Sequence, residues 1–424
     1  MFSLNKKQQN AVDAIANGRN LFLTGPPGTG KSYTLKEIIT YLKTKNINFS
    51  VTSSTGCSAV LINGQTIHSY FSLGIGDINV DKIIKKLKMY PTKYKEIYEL
   101  KSLIIDEISM IDCTLFEKIS EILQKIKSNQ KPFGDIQIII VGDFCQLSPV
   151  KGDYCFTSKL WKECHFENIV LDEYIRQKED IDLQNILAEI RFGKCSKKTF
   201  YQLKKLKHIE YNNIIPTKLF SLASHVDQIN KHNFEKFIPV NSNIIQCYPP
   251  TLEEYFTNSS FSEKDIMQYN AISNDKKIKT SEYVIQLYKG LQVMVTRNVN
   301  IEKGLINGTM GTITSLSPSY VQIKDKNQNM FTIYYHKDVN ENTKTYVKFM
   351  PIKLAYAVSI HKSQGATLDA IEVDGGTCIF APGQLYTALS RAKNLNSIKI
   401  IDLDKNSFIC HKSVKQFYKD LIDE

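Results

Sequence analysis

The stretch that most constrains this chain is LFLTGPPGTGKSYTL, residues 21–35. An apolar run, Leu21–Phe22–Leu23, ends in a glycine-rich turn, and the turn ends in Lys31 and Ser32 before a helix-like run to Leu42. Gly25, Gly30, Lys31 and Ser32 hold the fixed places of the pattern G-x-x-x-x-G-K-[ST]. The spacing has a physical reason. Glycines let consecutive backbone N–H groups turn inward and cradle phosphates with no Cβ in the way. The helix that follows points the positive end of its dipole at the same phosphates. Lys31 is expected to reach the β- and γ-phosphates, and Ser32 to ligate Mg²⁺. The competing reading is an ordinary strand-to-helix turn beside a lysine. A strand before and a helix after argue for a nucleotide site instead.

Two later stretches add to it. In SLIIDEISM, Ser102–Ile105 reads as a buried strand that presents Asp106 and Glu107 at the carboxyl edge of a sheet. There Asp106 is expected to hold Mg²⁺ and Glu107 to activate the attacking water. Strands often end in acids, so the pair gains weight only from its company. DIQIIIVGDFCQLSPV, residues 135–150, supplies some: Ile136–Val141 is an apolar strand, Gly142–Asp143 a turn, and Gln146 a polar side chain able to sense the γ-phosphate. Arg176, in LDEYIRQ, follows a short run from which an arginine can point back at a phosphate.

After residue 216 a second strand–helix series without its own P-loop suggests a duplicated α/β core. Residues 305–350 change character, with short alternating runs and Asn-Gly and Gly turns that predict a small inserted barrel. Pro351–Ile360 resumes the buried-strand pattern. The stretch 238–283 is polar, broken at Pro249–Pro250, and reads as an insertion without nameable chemistry.

Composition limits the partners. At 424 residues roughly two to four domains are expected. The net charge of +11 favours a polyanion, and Lys interleaves with Tyr or Phe in residues 82–101 and 194–208. That pattern fits attraction to a backbone plus base stacking on a single strand, and equally a solvated helix face. No apolar run approaches the ~20 residues of a membrane span, and no secretory or transit signal is read at the start. Nine scattered cysteines, none as C-x-x-C, suggest free thiols in a reducing, intracellular compartment. Cys155 with Cys164–His165 has the wrong spacing for a zinc knuckle.

The ordered motifs then spell a family. GPPGTGKS, TSSTGCSAVLINGQTIHSY, LIIDEISM, FGDIQIIIVGDFCQLSPV, EYIRQ, KGLQVMVTRN, LINGTMG, AYAVSIHKSQGATLD and LYTALSRA follow one another along a match that spans roughly residues 4 to 400. Their order and spacing resemble the Pif-type (petite integration frequency) superfamily 1B DNA helicases, with RecD and the phage Dda helicase as more distant relatives. The resemblance implies an α/β fold of two RecA-like P-loop NTPase domains, with ATP and Mg²⁺ between them and single-stranded DNA across the top. It implies a first domain over 1–175 with a duplex-splitting wedge at about 74–98. A second domain would span 176–306 and 351–424, interrupted by an SH3-like β-barrel at 307–350.

Residue by residue, Gln8 is similar to the family's adenine-reading glutamine, register favouring it over Gln9. Gly25, Gly28, Thr29, Gly30, Lys31, Ser32, Gln146 and Gly365 are implied in nucleotide binding. Arg176 and Arg391 are implied as arginine fingers from the second domain. Thr55, His68, His361 and Lys362 lie in motifs that touch DNA in relatives. Ser148 stands where the family usually has proline. The helix before FGDIQ lacks the arginines common there, so no finer subfamily follows.

The implied activity is ATP-dependent 5′→3′ translocation on single-stranded DNA with unwinding of forked duplex, in DNA replication, repair or recombination. The chain is expected to be monomeric when free and to meet replication or recombination proteins. The alternatives are a DNA-stimulated translocase that remodels protein–DNA complexes without unwinding, or a DNA-binding switch subunit. Every catalytic position carries the expected residue type, which argues against the switch.

Overall fold

The computed structural model describes residues 4–74, 79–211, 216–236, 246–248, 251–254, 285–297, 299–300, 303, 305, 309–325, 328–340 and 345–423. The first helix, Lys6–Ala16, starts at a capping box. The Asn5 side chain accepts the Gln8 N–H at 2.9 Å, and Gln8 Oε1 accepts the Asn5 N–H at 3.0 Å. The same pair of bonds that starts the helix therefore fixes Gln8, which is buried.

Six strands follow: β1 (Leu21–Thr24), β2 (Phe49–Ser53), β3 (Gln65–Thr66), β4 (Ser102–Asp106), β5 (Gln137–Gly142) and β6 (Glu167–Val170). They form one parallel sheet in the order β3-β2-β4-β5-β1-β6. The central strands are apolar along their length because both faces are covered. Phe22, Leu103, Ile105, Ile138 and Ile140 face one core, and Leu21, Leu23, Ile104, Ile139 and Val141 the other. On the second side lie the first helix and the P-loop helix, Lys31–Thr44, through Ala11, Ile15, Leu35, Ile38 and Leu42. On the first side lies the helix Cys113–Lys127, through Phe116, Ile119 and Leu123.

The segment expected to be a wedge is a pair of helices, Val80–Lys88 and Pro91–Glu99; its residues 75–78 lie outside the described residues. Ile83, Leu87 and Ile97 anchor the pair in the core. Lys82, Lys85, Lys86 and Lys88 face solvent, and the tip carries Met89 and Tyr90, 75% and 37% exposed.

Further along lie β7 (Thr217–Phe220), β8 (Gln246–Tyr248), β9 (Thr251–Glu254), β10 (Ile285–Leu287) and β11 (Gln292–Val295). Then come β12 (Met310–Ser317), β13 (Tyr320–Lys324), β14 (Met330–Tyr334), β15 (His336–Asn340) and β16 (Thr345–Phe349). Last are β17 (Ile352–Leu354), β18 (Ala357–Ser359), β19 (Ile371–Gly375) and β20 (Ile398–Leu403). A second parallel sheet has the order β18-β7-β19-β20. A smaller antiparallel unit has the order β14-β13-β12-β11-β17, around Val293, Ile313, Val321 and Ile333. A three-stranded sheet, β15-β16-β9, and a ribbon, β10-β8, accompany it.

Three expected boundaries shift. β11 and β17 were expected in the second α/β half, but both pair within the small antiparallel sheet. The apolar run 351–360 is in fact two strands, β17 in one sheet and β18 in another. Apolar periodicity identifies a buried strand but does not say which sheet it joins. β9 comes from the stretch read as an insertion and pairs with β16. The rest of 238–283 apart from β8 and β9, and residues 306–308 of LINGTMG, lie outside the described residues.

The last helix, Lys412–Asp423, was expected with the second half and instead packs on the first. Phe417 meets Phe22, Phe144, Phe156 and Trp161 at ring distances of 5.9, 5.4, 4.4 and 6.0 Å. The reason is aromatic burial: Phe417 completes a ring cluster that Phe22, Phe144, Phe156 and Trp161 build on one side of the first sheet.

Candidate active site

A cleft of about 1380 Å³ opens at the carboxyl edge of the first sheet, lined from both halves by Gln8, Lys31, Glu107, Gln146, Arg176 and Arg391 among others. Its floor is the P-loop. Lys31 Nζ donates to the carbonyls of Gly25 and Pro26 at 2.6 and 3.0 Å. Burial pushes its ammonium down to about 8, against the pull of Asp143 and Glu107. Thr29 is buried, its hydroxyl bonded to Pro26 O at 2.8 Å, so it braces the loop from within. Ser32 is exposed and lines the cleft. Gly30 caps the helix in a left-handed conformation. Gly28 has φ +86°, and a Cβ there would stand 2.6 Å from Gln177 Oε1 and 2.7 Å from Arg176 Cβ.

Asp106 ends β4 with its Oδ1 accepting the Glu107 N–H at 2.9 Å. Burial, then the Glu107 charge, pushes its carboxyl up to about 8. A divalent cation beside Asp106 would reverse that shift; Ser32 lines the cleft together with Glu107, the neighbour of Asp106, and a carboxylate with a hydroxyl are the hard oxygen donors that suit Mg²⁺, with phosphate oxygens to complete the set. Glu107 takes the left-handed backbone, φ 53° and ψ 49°, which is strained for a side chain of this kind. Its Oε2 accepts the Gln364 Nε2–H at 2.8 Å, a bond between the two halves.

Facing the P-loop are two guanidiniums. Arg391 is 2% exposed and held by Thr387 O at 2.9 Å and Ser390 Oγ at 2.8 Å. Arg176 Nη1 reaches Ser390 O at 2.9 Å. Burial and the neighbouring Arg391 charge push Arg176 down to about 9. Burial also lowers Arg391, with Glu107 opposing. Arg391 is buried and Arg176 half-buried beside it, and two guanidiniums held together in this way are costly in the absence of an anion, which suits the cleft to a polyanion.

Arg176 was expected to come from the second half. Its backbone instead belongs to the loop leaving β6: the N–H groups of Ile175 and Arg176 both bond Gly28 O, at 2.7 and 3.1 Å. β6 completes the first sheet beside β1, so the chain leaves the first half at the mouth of the P-loop. Arg176 is thus fixed to one half by its backbone and to the other by its side chain.

Beneath the cleft sits a network the sequence reading missed. Asp143, fully buried, accepts Arg191 Nη2 at 3.0 Å and Nε at 3.3 Å, Tyr386 OH at 3.2 Å and Tyr418 OH at 3.0 Å. The Tyr418 hydroxyl also accepts the Phe144 N–H at 3.0 Å and lies 2.7 Å from Thr24 Oγ1. The network joins β1, the loop carrying Gln146, the helix Gln384–Leu389 before Arg391, and the last helix. Despite its burial, the Arg191 and Lys31 charges hold the Asp143 carboxyl below the usual carboxylate range.

Two glutamines, Gln8 and Gln146, line the cleft, and a third, Gln177, stands behind Gly28. Among the described residues, Gln146, 3% exposed, has a buried Oε1 with no hydrogen-bond partner, and the same holds for Gln8 at Nε2 and Gln177 at Oε1. Gln177 Nε2 donates to Ala392 O at 2.9 Å, tying the loop after β6 to the second half. The signal for Gln177 was its place beside Arg176, and for Arg191 a lone arginine on the apolar face of the helix Ile181–Arg191. No local pattern pointed to Tyr386 or Tyr418.

The expected DNA contacts lie just past the carboxyl ends of three strands, β2, β3 and β18. Thr55 follows β2 and caps the helix Gly56–Leu61, accepting the Ser58 N–H at 3.2 Å. His68 is exposed on the short helix Ile67–Tyr70. His361 and Lys362 form a 3-10 turn, His361–Ser363, after β18. His361 is half-buried, and burial lowers its pKa; Lys362 is exposed. Neither histidine is a fully enclosed core residue. Gly365 lines the cleft two residues beyond this turn.

Comparison with known proteins agrees with this geometry. Residues 3–199 match the PIF1-like helicase family, and residues 279–316 match the family described as DNA helicase Pif1, 2B domain. The second match begins ahead of residue 307, in line with the strand pairing of β11. The chain is 33% identical to the ATP-dependent DNA helicase PIF1 of Danio rerio over 99% of its own length and 64% of that protein's. The Pif1 helicase of Candida albicans superposes with a TM-score of 0.82 at 30% identity, covering 99% of this chain and 100% of the other. The Pif1 of a Bacteroides species, solved in complex with ADP-AlF4, gives 0.79 at 25% identity, covering 100% and 98%. On motif order, fold and these likenesses together, the chain belongs to the PIF1-like helicase family.

Proposed function

We propose that this chain is an ATP-dependent DNA helicase that moves 5′→3′ on single-stranded DNA and unwinds forked duplex. What carries the reading is the pairing of a P-loop with Arg176 and Arg391 across one cleft. Phosphoryl transfer asks mainly for positioning and charge neutralisation. Lys31 would hold the β- and γ-phosphates once they replace the Gly25 and Pro26 carbonyls as its acceptors. Gln8, its Oε1 already held by Asn5, would offer an N–H donor to adenine. Gln146 would use its unpartnered Oε1 to hold the attacking water, with Glu107 accepting the proton. Asp106 and Ser32 would hold Mg²⁺, which supplies charge neutralisation on the phosphates. Arg391 and Arg176 would stabilise the charge that develops on the transferred group, which ties hydrolysis to closure of the halves. Both arginines are in the same chain as the P-loop, so hydrolysis needs no second subunit, and we read the active form as a monomer. Thr55, His68, His361 and Lys362 would follow the DNA backbone at the strand edges.

The test is strand displacement on two matched duplexes, one with a 5′ single-stranded tail and one with a 3′ tail, with ATP, Mg²⁺ and Lys31→Ala as control. Unwinding of the 5′-tailed duplex alone, lost in the variant, is the expected result. DNA-stimulated hydrolysis without unwinding of either would replace the helicase with a translocase. Silence in both assays would overturn the reading.

A further inference from the structure

Gln364 has no assigned part in the reaction, yet its side chain bonds Glu107 from the other half. It is 2% exposed; its Nε2 donates to Glu107 Oε2 at 2.8 Å, and its Oε1 is buried without a hydrogen-bond partner among the described residues. A buried amide satisfied on one side only is held for a reason other than its own stability. Its backbone position supplies one. Gln364 directly follows the His361–Ser363 turn, and its N–H bonds His361 O at 3.4 Å. The carbonyls of Ser363 and Ala366, on either side of it, receive Arg391 Nη1 at 3.5 and 3.4 Å. The turn is anchored at one more point, where the Lys362 N–H meets Ser359 Oγ at 3.3 Å. One short segment thus carries two groups proposed to meet DNA, an amide on the proposed base, and acceptors for an arginine of the cleft.

We propose that Gln364 is a positioning residue that couples the DNA strand to hydrolysis: a strand bound on His361 and Lys362 sets the turn, and the turn sets the Glu107 carboxylate through the Gln364 amide. The inference rests on the assignment of Glu107 as the water-activating group. Gln364 forms no bond to substrate and moves no proton; it aims the carboxylate that does. Because Glu107 has a strained backbone of its own, an outside hydrogen bond is a direct means of choosing its side-chain orientation.

The experiment uses the full chain with Gln364→Met, which keeps the length and apolar volume of the side chain and removes the N–H, and Gln364→Ala as a second variant. ATP hydrolysis is measured with and without saturating oligothymidylate, alongside KM for ATP and anisotropy binding of the same oligonucleotide. In both variants the DNA-stimulated kcat is expected to fall at least tenfold, and the stimulation ratio at least fivefold. KM for ATP and Kd for the oligonucleotide should stay within about twofold. A general packing role would not separate kcat from KM and Kd in this way. A stimulated kcat within twofold of the parent overturns the proposal, as does a loss that simply follows weaker DNA binding. Glu107→Gln, run in parallel, should be inactive. Retained hydrolysis there overturns the base assignment itself, a failure distinguishable from that of Gln364.

Discussion

At the residue scale the most consequential group is one that reads as a turn residue. Asp143 follows Gly142, and nothing local distinguishes it from the acids that end many strands. In the structure it collects Arg191, Tyr386 and Tyr418 in a site without water access. Removing one member of such a pair leaves the other charge buried and uncompensated, which costs more than the pair itself contributes. Asp143→Asn is therefore expected to destabilise the chain by about 3–5 kcal/mol, seen as a lower urea midpoint with an unchanged slope. A change under 1 kcal/mol would mean that Arg191 finds another partner. The pH dependence follows from the sign of the shift. The folded carboxyl is held below the ordinary 3.8, so its contribution is full above that value and fades only as pH falls through the lower folded value. By contrast, Lys31, Ser32, Asp106, Glu107 and Gln146 were legible because phosphate chemistry demands those residue types at those spacings. Gln364 stands in a quoted motif without a distinguishing mark, since its partner is 257 residues away in sequence.

At the scale of elements, the paired helices Val80–Lys88 and Pro91–Glu99 are an instructive case. Their apolar stripe, Ile83, Leu87 and Ile97, is in the core, which leaves the lysines outside. The basic stripe taken alone is therefore what a solvated amphipathic face looks like. The tip is different: among the described residues Met89 is 75% exposed and Tyr90 beside it 37%, two large side chains that present apolar surface to solvent. If the pair splits duplexes, Met89→Ser with Tyr90→Ser should lower the unwinding rate several-fold while DNA-stimulated hydrolysis stays within twofold. Equal unwinding by parent and variant would remove the wedge role from this tip. The strands of the small antiparallel unit show the opposite limit of sequence reading. Their alternation announces β-structure, but β11 and β17 look like any other buried strand, and only pairing assigns them.

At the scale of the whole molecule, two parallel sheets share one cleft, and the chain crosses between them at the P-loop mouth and again at its last helix. A charge of +11 on such a body predicts sequence-tolerant, salt-sensitive binding. Affinity for single-stranded DNA should fall linearly in a log–log plot against salt, with a slope of about −0.7 for each phosphate contacted. A slope near zero would show that the charge is not used on the backbone. Among the described residues no helix is long and apolar enough to cross a membrane.

By itself the sequence determined the nucleotide chemistry and the α/β class. Both are local: a glycine turn between strand and helix, acids at a strand end, and apolar runs long enough for covered parallel strands. It determined the family as well, because nine motifs in order leave little freedom. Only the tertiary structure decided what joins the halves. Arg176 is shared between them because β6 closes the first sheet beside the P-loop. The last helix returns to the first half because Phe417 packs into the ring cluster around Phe22 and Phe144. Asp143 and Gln364 acquire partners at separations of 48 to 275 residues. No periodicity or propensity encodes a contact of that range; it exists once packing has brought the elements together.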